Sequence, residues 1–206
     1  LNEIERSSED PGRTDVLLLR HAESAWNADG RWQGRADPAL SSVGRAAALR
    51  AGTLLPRFPT VVASDLIRAR ETARLITGSW NGARVAWVTP LLAERTVGPW
   101  EGLTREQIEA SWPGYLARHE RPPGFESDDS VLRRLRAALA VLERDFSGER
   151  VLCVTHGGLI HALEAWAGVP RTRLANLAGL WVAVDDGAIT VGSREPRAAP
   201  PVGGAD

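Results

Sequence analysis

Four short apolar runs in this sequence are each followed by side chains suited to handling a phosphoryl group. Arg20-His21-Ala22-Glu23-Ser24 follows the run 16–19, and Thr155-His156-Gly157-Gly158 follows 151–154. Ser64-Asp65-Leu66-Ile67-Arg68 follows 60–63, and Leu92-Ala93-Glu94-Arg95 comes shortly after 84–88. Arginine offers a fixed fork of donors that matches phosphate oxygens. His156 can add a third donor, and the glycine pair leaves backbone N–H groups open at a helix start, which favours anions. Neighbouring cations disfavour an imidazolium, so His21 is expected to be neutral and hence nucleophilic. Glu94 can supply the proton that a departing alkoxide needs. The set reads as phosphoryl transfer through a phosphohistidine, with neither metal nor cofactor.

These groups meet only if the runs are neighbouring strands. Runs 16–19 and 151–154 are wholly apolar, as expected of strands buried on both faces. The spacing predicts helices over 42–55, 65–76, 105–111, 114–120, 130–146 and 159–166, with 20–40 and 89–129 largely irregular. Segments 181–184 and 188–191 flank Asp185-Asp186-Gly187, a hairpin signal. Alternating strands and helices imply an α/β fold: a mainly parallel, mixed sheet with helices on both faces, in three layers. Ligands of such folds bind beyond the carboxyl ends of the strands. The expected organisation is an arm over 1–13, one domain over 14–193 and a Pro/Ala/Gly-rich tail over 194–206.

Composition narrows the function classes. The 206 residues are 43% hydrophobic and 25% charged, with a formal net charge of −1. That balance gives no electrostatic reason to expect nucleic acid or an acidic membrane as partner. No apolar run approaches the roughly 20 residues of a membrane span. The first 15 residues are polar and acidic, unlike a signal peptide, so a cytoplasmic location is expected. The single cysteine, Cys153, rules out an internal disulfide framework. All 25 basic residues are Arg. Lysine Schiff-base chemistry and a phosphate-loop lysine are therefore excluded.

The motifs resemble those of a known family. Arg20-His21-Ala22-Glu23, with Asn27 four residues beyond Glu23, is similar to the signature of the histidine phosphatase superfamily, also called phosphoglycerate mutase-like. Gln33-Gly34, Asp37 to Ser41, Ser64 to Ala69, Glu94 to Gly102 and Val154 to Gly158 match further family segments in the same order. The resemblance implies that His21 is the nucleophile and that Arg20, Arg68 and His156 hold the phosphoryl oxygens. It implies that Glu94 is first acid and then base. It puts Asn27 and Gly157 near the phosphate, and Gln33, Gly34 and Arg95 against the substrate. Two positions depart from the pattern: Phe125 stands where a Gly pair is common, and Ala47 where Gln is frequent.

The resemblance favours the phosphatase branch. Mutases of the family carry a longer, Arg-containing insert where this chain has the short segment 102–129. The expected substrate is a small phosphate monoester: a phosphoglycerate derivative, a sugar phosphate or α-ribazole phosphate. The Glu94-Arg95 pair resembles a mutase feature that meets a substrate carboxylate, and so leans toward an acidic one. The alternatives are mutase-type phosphoryl transfer and a catalytically inactive phosphate-binding protein. A homodimer is left open. Cys153 is expected to be an inert core thiol, His161 a part-buried helix residue, Trp26, Trp32 and Trp112 packing residues, and Arg133, Arg134 and Arg136 mostly a solvated face.

Overall fold

The computed structural model describes residues 12–196. Of the expected arm (1–13) and tail (194–206), residues 1–11 and 197–206 lie outside the described residues. Six strands form one sheet in the order β3-β2-β4-β1-β5-β6. They are β1 (Thr14–Arg20), β2 (Thr60–Ser64), β3 (Val85–Thr89), β4 (Arg150–Thr155), β5 (Gly179–Asp185) and β6 (Ala188–Glu195). β3, β2, β4 and β1 run parallel, and β5 and β6 add an antiparallel hairpin at one edge. The sheet is thus mixed and mostly parallel. Among the described residues, no helix is long and apolar enough to cross a membrane.

The alternation of side chains along the strands assigns the layers. Val16 and Leu18 of β1 face one core with Val151 and Cys153 of β4. That face is covered by α5 (Asp128–Asp145) and α6 (Gly157–Trp166) through Val131, Leu135, Leu139, Leu142, Ile160 and Leu163. Leu17 and Leu19 face the other core, covered by α2 (Ser42–Leu54) and α3 (Ile67–Thr77) through Ala48, Ala51, Ala69, Ala73 and Ile76. A third, smaller cluster lies apart from the sheet. Val97, Trp100 and Ile108 of α4 (Arg105–Ser111) gather Trp32, Leu103, Trp112, Tyr115, Leu116 and Phe125 around them. This aromatic lobe occupies the segment expected to be irregular.

Register delivers the chemistry. Arg20 pairs opposite Thr155, so the next residues of both strands leave the sheet side by side. The His21 N–H donates to the Thr155 carbonyl at 2.9 Å.

Several local expectations change. The segment 114–120 is a series of turns rather than a helix: Gly114 and His119 have φ of 77° and 58°. A short helix, α1 (Ala25–Ala28), lies in the expected loop, closed by a capping box between Ser24 and Asn27. Asp65 does not cap α3; Asp37 Oδ1 accepts from the Ile67 N–H at 2.7 Å. β6 reaches Glu195, so Arg194 and Glu195 belong to the sheet and not to the expected tail. The hairpin turn matches its signal: Asp186 and Gly187 both have positive φ, 46° and 74°, as a type I′ turn requires.

The α2 helix fixes the loop after β1 by close approach. A Cβ on Gly44 would collide with the Glu23 carbonyl. Elsewhere in a helix, Gly→Ala gains about 1 kcal/mol. Here overpacking should reverse the sign. Gly44→Ala is expected to lower stability by about 1–3 kcal/mol, read as an earlier urea midpoint. A stabilised variant would refute the close packing of α2 on this loop.

Candidate active site

Beyond the carboxyl edge of the parallel strands lies a cavity of about 660 Å³. Arg20 and His21 reach it from the end of β1, Arg68 from α3, Glu94 and Arg95 from the segment after β3, and Gly157 from the start of α6. Asn27, Gln33 and Gly34 complete this end of the wall. His156 is fully buried directly behind, its ring centroid 5.1 Å from that of His21. The ten expected residues therefore gather at one place.

His21 is 2% exposed, and its Nδ1 lies 2.6 Å from the Ala22 carbonyl. A carbonyl can only accept, so Nδ1 carries the proton. Nε2 has no protein partner and is presented to the cavity as a lone pair. Burial lowers the His21 pKa well below its usual value, and the Arg68 and Arg20 charges lower it further, against the bond to Ala22. The ring is neutral near pH 7. His156 is likewise held well below the usual range, by burial and then by Arg68 and His21. Its Nε2 lies 2.8 Å from Ser64 Oγ. Ser64 Oγ also lies 3.4 Å from Asp65 Oδ1; with its one proton given to the closer His156 Nε2, the neutral ring keeps its own proton on Nδ1.

Six buried side-chain nitrogens among the described residues lack a protein partner. Five belong to this site: Arg20 Nε, Arg68 Nε, Arg95 Nε, Trp100 Nε1 and His156 Nδ1. Buried polar groups are ordinarily paired. A cluster of unpaired donors around one cavity fits an anion. The amides contribute in the same sense. Asn27 Oδ1 accepts from the Ser24 N–H and Asn176 Nδ2, and Gln33 Oε1 accepts from Ser24 Oγ. Each oxygen is thus occupied, which leaves the two NH2 groups as the free donors of residues that line the cavity.

Glu94 opposes these donors. Its Oε1 accepts from the Arg95 N–H at 2.8 Å and its Oε2 from the Gly158 N–H at 3.0 Å. A Cβ on Gly158 would strike Glu94 Oε1, so the glycine is required for this approach. Burial lowers the pKa of Arg20 and of Arg68, and the Glu94 charge acts against that in both.

A family model of the histidine phosphatase superfamily (branch 1) matches residues 16–191. The chain belongs to this superfamily. It is a histidine-phosphatase-like hydrolase. The metal-independent phosphoserine phosphatase of Arabidopsis thaliana is 38% identical over 160 residues, 73% of this chain and 67% of that protein. The acid phosphatase of Mycobacterium tuberculosis is 38% identical over 160 residues, 75% of this chain and 76% of that protein. A solved structure of mycobacterial glucosyl-3-phosphoglycerate phosphatase with VO3 superposes with a TM-score of 0.71 at 32% identity, covering 87% of this chain and 96% of that one.

Some side chains of the enzyme differ in detail from expectation. Arg95 lines the cavity, but its NH1 binds Asp128 Oδ1 at 2.6 Å and its NH2 binds the Gly158 carbonyl at 2.8 Å. Only its Nε remains unpaired. Gly34 acts through its carbonyl, which accepts from Arg68 NH2 at 2.9 Å. Phe125 both packs in the aromatic lobe and lines the cavity beneath Arg95 and Arg121. Trp32 does the same beside Trp100. Arg134 is not part of a solvated face: it binds Glu126 and the Leu91 carbonyl. Cys153 is buried in β4, and burial pushes its thiol up. Asn176 is a residue that sequence reasoning misses. It donates to the His21 carbonyl at 2.9 Å. It lies in irregular chain before β5, and no spacing signal marks it.

The two buried neutral histidines have a consequence for stability. Above about pH 6.5 both folded and unfolded imidazoles are neutral and contribute no pH dependence. Below that the unfolded chain takes up protons that the native state refuses. Stability must therefore fall as pH falls. Each histidine adds up to about 1.4 kcal/mol per pH unit. His156→Gln is expected to flatten the slope between pH 6 and 5 by up to that amount, measured by urea unfolding in phosphate-free buffer. An unchanged slope would mean that His156 is not held neutral.

Proposed function

We propose that this chain is a metal-independent phosphomonoesterase working through a phosphohistidine at His21. The observation that carries the reading is the His21 ring itself: neutral, with Nδ1–H bound to a carbonyl and Nε2 facing a cavity of unpaired donors. In the first step Nε2 attacks phosphorus and the bond from phosphorus to the leaving oxygen breaks. Glu94 gives that oxygen a proton. In the second step water attacks the phosphohistidine, Glu94 takes a proton from it, and inorganic phosphate and His21 are released. Arg20, Arg68, His156 Nδ1–H and the Gly157 N–H at the start of α6 hold the phosphoryl oxygens as charge develops. Asn27 and Gln33 add amide donors beside them.

The substrate is a small phosphorylated metabolite. The names of the relatives, a phosphoserine phosphatase, an acid phosphatase and a glucosyl-3-phosphoglycerate phosphatase, support hydrolysis over mutase transfer. Among the described residues no group of three or more His, Cys, Asp or Glu is arranged to hold a metal ion. Turnover should be indifferent to a chelator.

Brief incubation with labelled p-nitrophenyl phosphate should trap an acid-labile, base-stable adduct, absent from His21→Ala along with all turnover. An acid-stable adduct, or an active His21→Ala, would sink the assignment. Arg68→Lys tests the donor set. Arg68 gives NH1 to the Ala36 carbonyl and NH2 to Gly34 while its Nε stays free. A lysine cannot serve three directions at once. A loss of roughly 100- to 1,000-fold in kcat is expected, and wild-type kinetics would place Arg68 outside the reaction.

A further inference from the structure

The cavity continues past the phosphoryl end along a single face of α6. Gly157, Gly158, His161 and Ala165 all line it, which is the spacing of one helical stripe. His161 thus stands about one turn, roughly 5.4 Å, beyond Gly157, whose N–H is proposed to meet the phosphate. Trp32 and Phe125 of the aromatic lobe line the same cavity.

His161 is not an ordinary half-buried helix residue. Its Nδ1 lies 2.9 Å from Glu164 Oε2, one turn further along α6. The Glu164 side chain is fully buried. Arg194 of β6 clamps it with two bonds, Nε to Oε1 at 2.6 Å and NH2 to Oε2 at 2.8 Å. Arg194 is held in turn by the Thr172 and Arg173 carbonyls. Burial works against a charge on Glu164, but the bonds from Arg194 and His161 keep its carboxyl below the usual range. Burial keeps the His161 ring below its usual value, against the pull of Glu164. A carboxylate can only accept, so Nδ1 carries the proton of the neutral ring. Nε2 has no partner, and it is not among the buried atoms. It faces the cavity as a lone pair.

We infer that His161, oriented by the Glu164–Arg194 pair, is a specificity-determining residue that accepts a hydrogen bond from a hydroxyl on the alcohol part of the substrate. A hydroxyl donor is favoured at this lone pair, and the Arg171 guanidinium, which also lines the cavity, further disfavours a second proton on the ring. The favoured substrates are hydroxylated phosphate monoesters, with the hydroxyl about one helical turn from phosphorus. The inference rests on the phosphatase reading.

Glycerol 3-phosphate and propyl phosphate make the test, since they share a three-carbon chain and differ in the hydroxyls. The wild-type enzyme is expected to prefer glycerol 3-phosphate in kcat/KM by about 5- to 100-fold, chiefly through KM. His161→Asn keeps a group near Nδ1 to bond Glu164 but has none at Nε2. It should lose the preference with propyl phosphate kinetics unchanged. His161→Gln reaches the Nε2 position with an amide oxygen and should recover part of it. A wild-type enzyme without preference overturns the inference, as does a His161→Asn variant that keeps the preference or loses both substrates equally. Steady-state nitrophenolate release from p-nitrophenyl phosphate is read in parallel on all three proteins. Absence of any release by the wild type would bring down the phosphatase reading and this inference with it. Release alongside a failed preference would overturn only the role of His161.

Discussion

Two guanidinium groups taken out of water at the end of a parallel sheet are the constraint to which the surrounding structure answers. Arg68 has no accessible surface, and Arg20 has its Nε buried. Burying an ion costs several kcal/mol unless its donors are met. Arg68 is met by the carbonyls of Gly34 and Ala36, Arg20 by that of Leu174, and both by the charge of Glu94. For Gly34 and Ala36 to turn their carbonyls inward, their loop must be held from outside. Glu101 does this by accepting the N–H groups of Arg35 and Ala36. Gly34 needs φ of +55° for the turn, and a Cβ there would meet Glu101 and Val97. The Trp100-Glu101-Gly102 segment therefore reaches the chemistry through a backbone loop and a buried arginine. Burial, and then these same two cations, keep His21 unprotonated, so the state of the nucleophile depends in part on how they are held.

A second support comes from the far edge of the sheet. The chain between α6 and β5 binds Arg20 through Leu174, Leu177 and Ala178, and His21 through Asn176. Leu177 adopts φ of 61°, a conformation that costs a branched side chain of order 1–3 kcal/mol. Its side chain is fully buried in the α2/α3 core while its N–H donates to the Arg20 carbonyl. Arg194, on the edge strand, braces the start of this segment against Glu164. The hairpin does more than complete the sheet: it fixes the loop that holds Arg20.

The phosphoryl end is legible in the sequence for a geometric reason. Strands buried on both faces read as unbroken apolar runs, and in a parallel sheet their carboxyl ends share one edge. The residues just beyond each run are therefore enough to assemble Arg20, His21, Arg68, Glu94 and His156. The braces are not legible. Asn176, Ser64 and Glu101 act through carbonyls, hydroxyls and N–H groups, whose direction no residue type announces. The segment 114–120 has a composition that suits a helix, yet Gly114 and His119 leave helical φ to let Tyr115 and Leu116 join the aromatic lobe. Packing across the chain outweighs local propensity there.

Arg95 shows how the same residue type changes meaning once its partners are known. In the sequence it is a free cation beside the acid. In the fold it is a brace. Asp128, the first residue of α5, takes its NH1 and also both forks of Arg121. Burial opposes a charge on Asp128, but the bonds from Arg121 and Arg95 hold its carboxyl below the usual range. Phe125 lies under both guanidinium groups and ties them to the aromatic lobe. A carboxylate on a substrate would have to displace Asp128 to recruit the Arg95 fork, leaving a part-buried acid without its partner. A hydroxyl asks for no such exchange, and the neutral His161, further along α6 from the Gly158 carbonyl that holds Arg95, offers it an acceptor. An ion pair internal to the protein thus takes up the Arg95 fork, which leaves Arg95 a brace rather than a free cation beside the leaving alcohol.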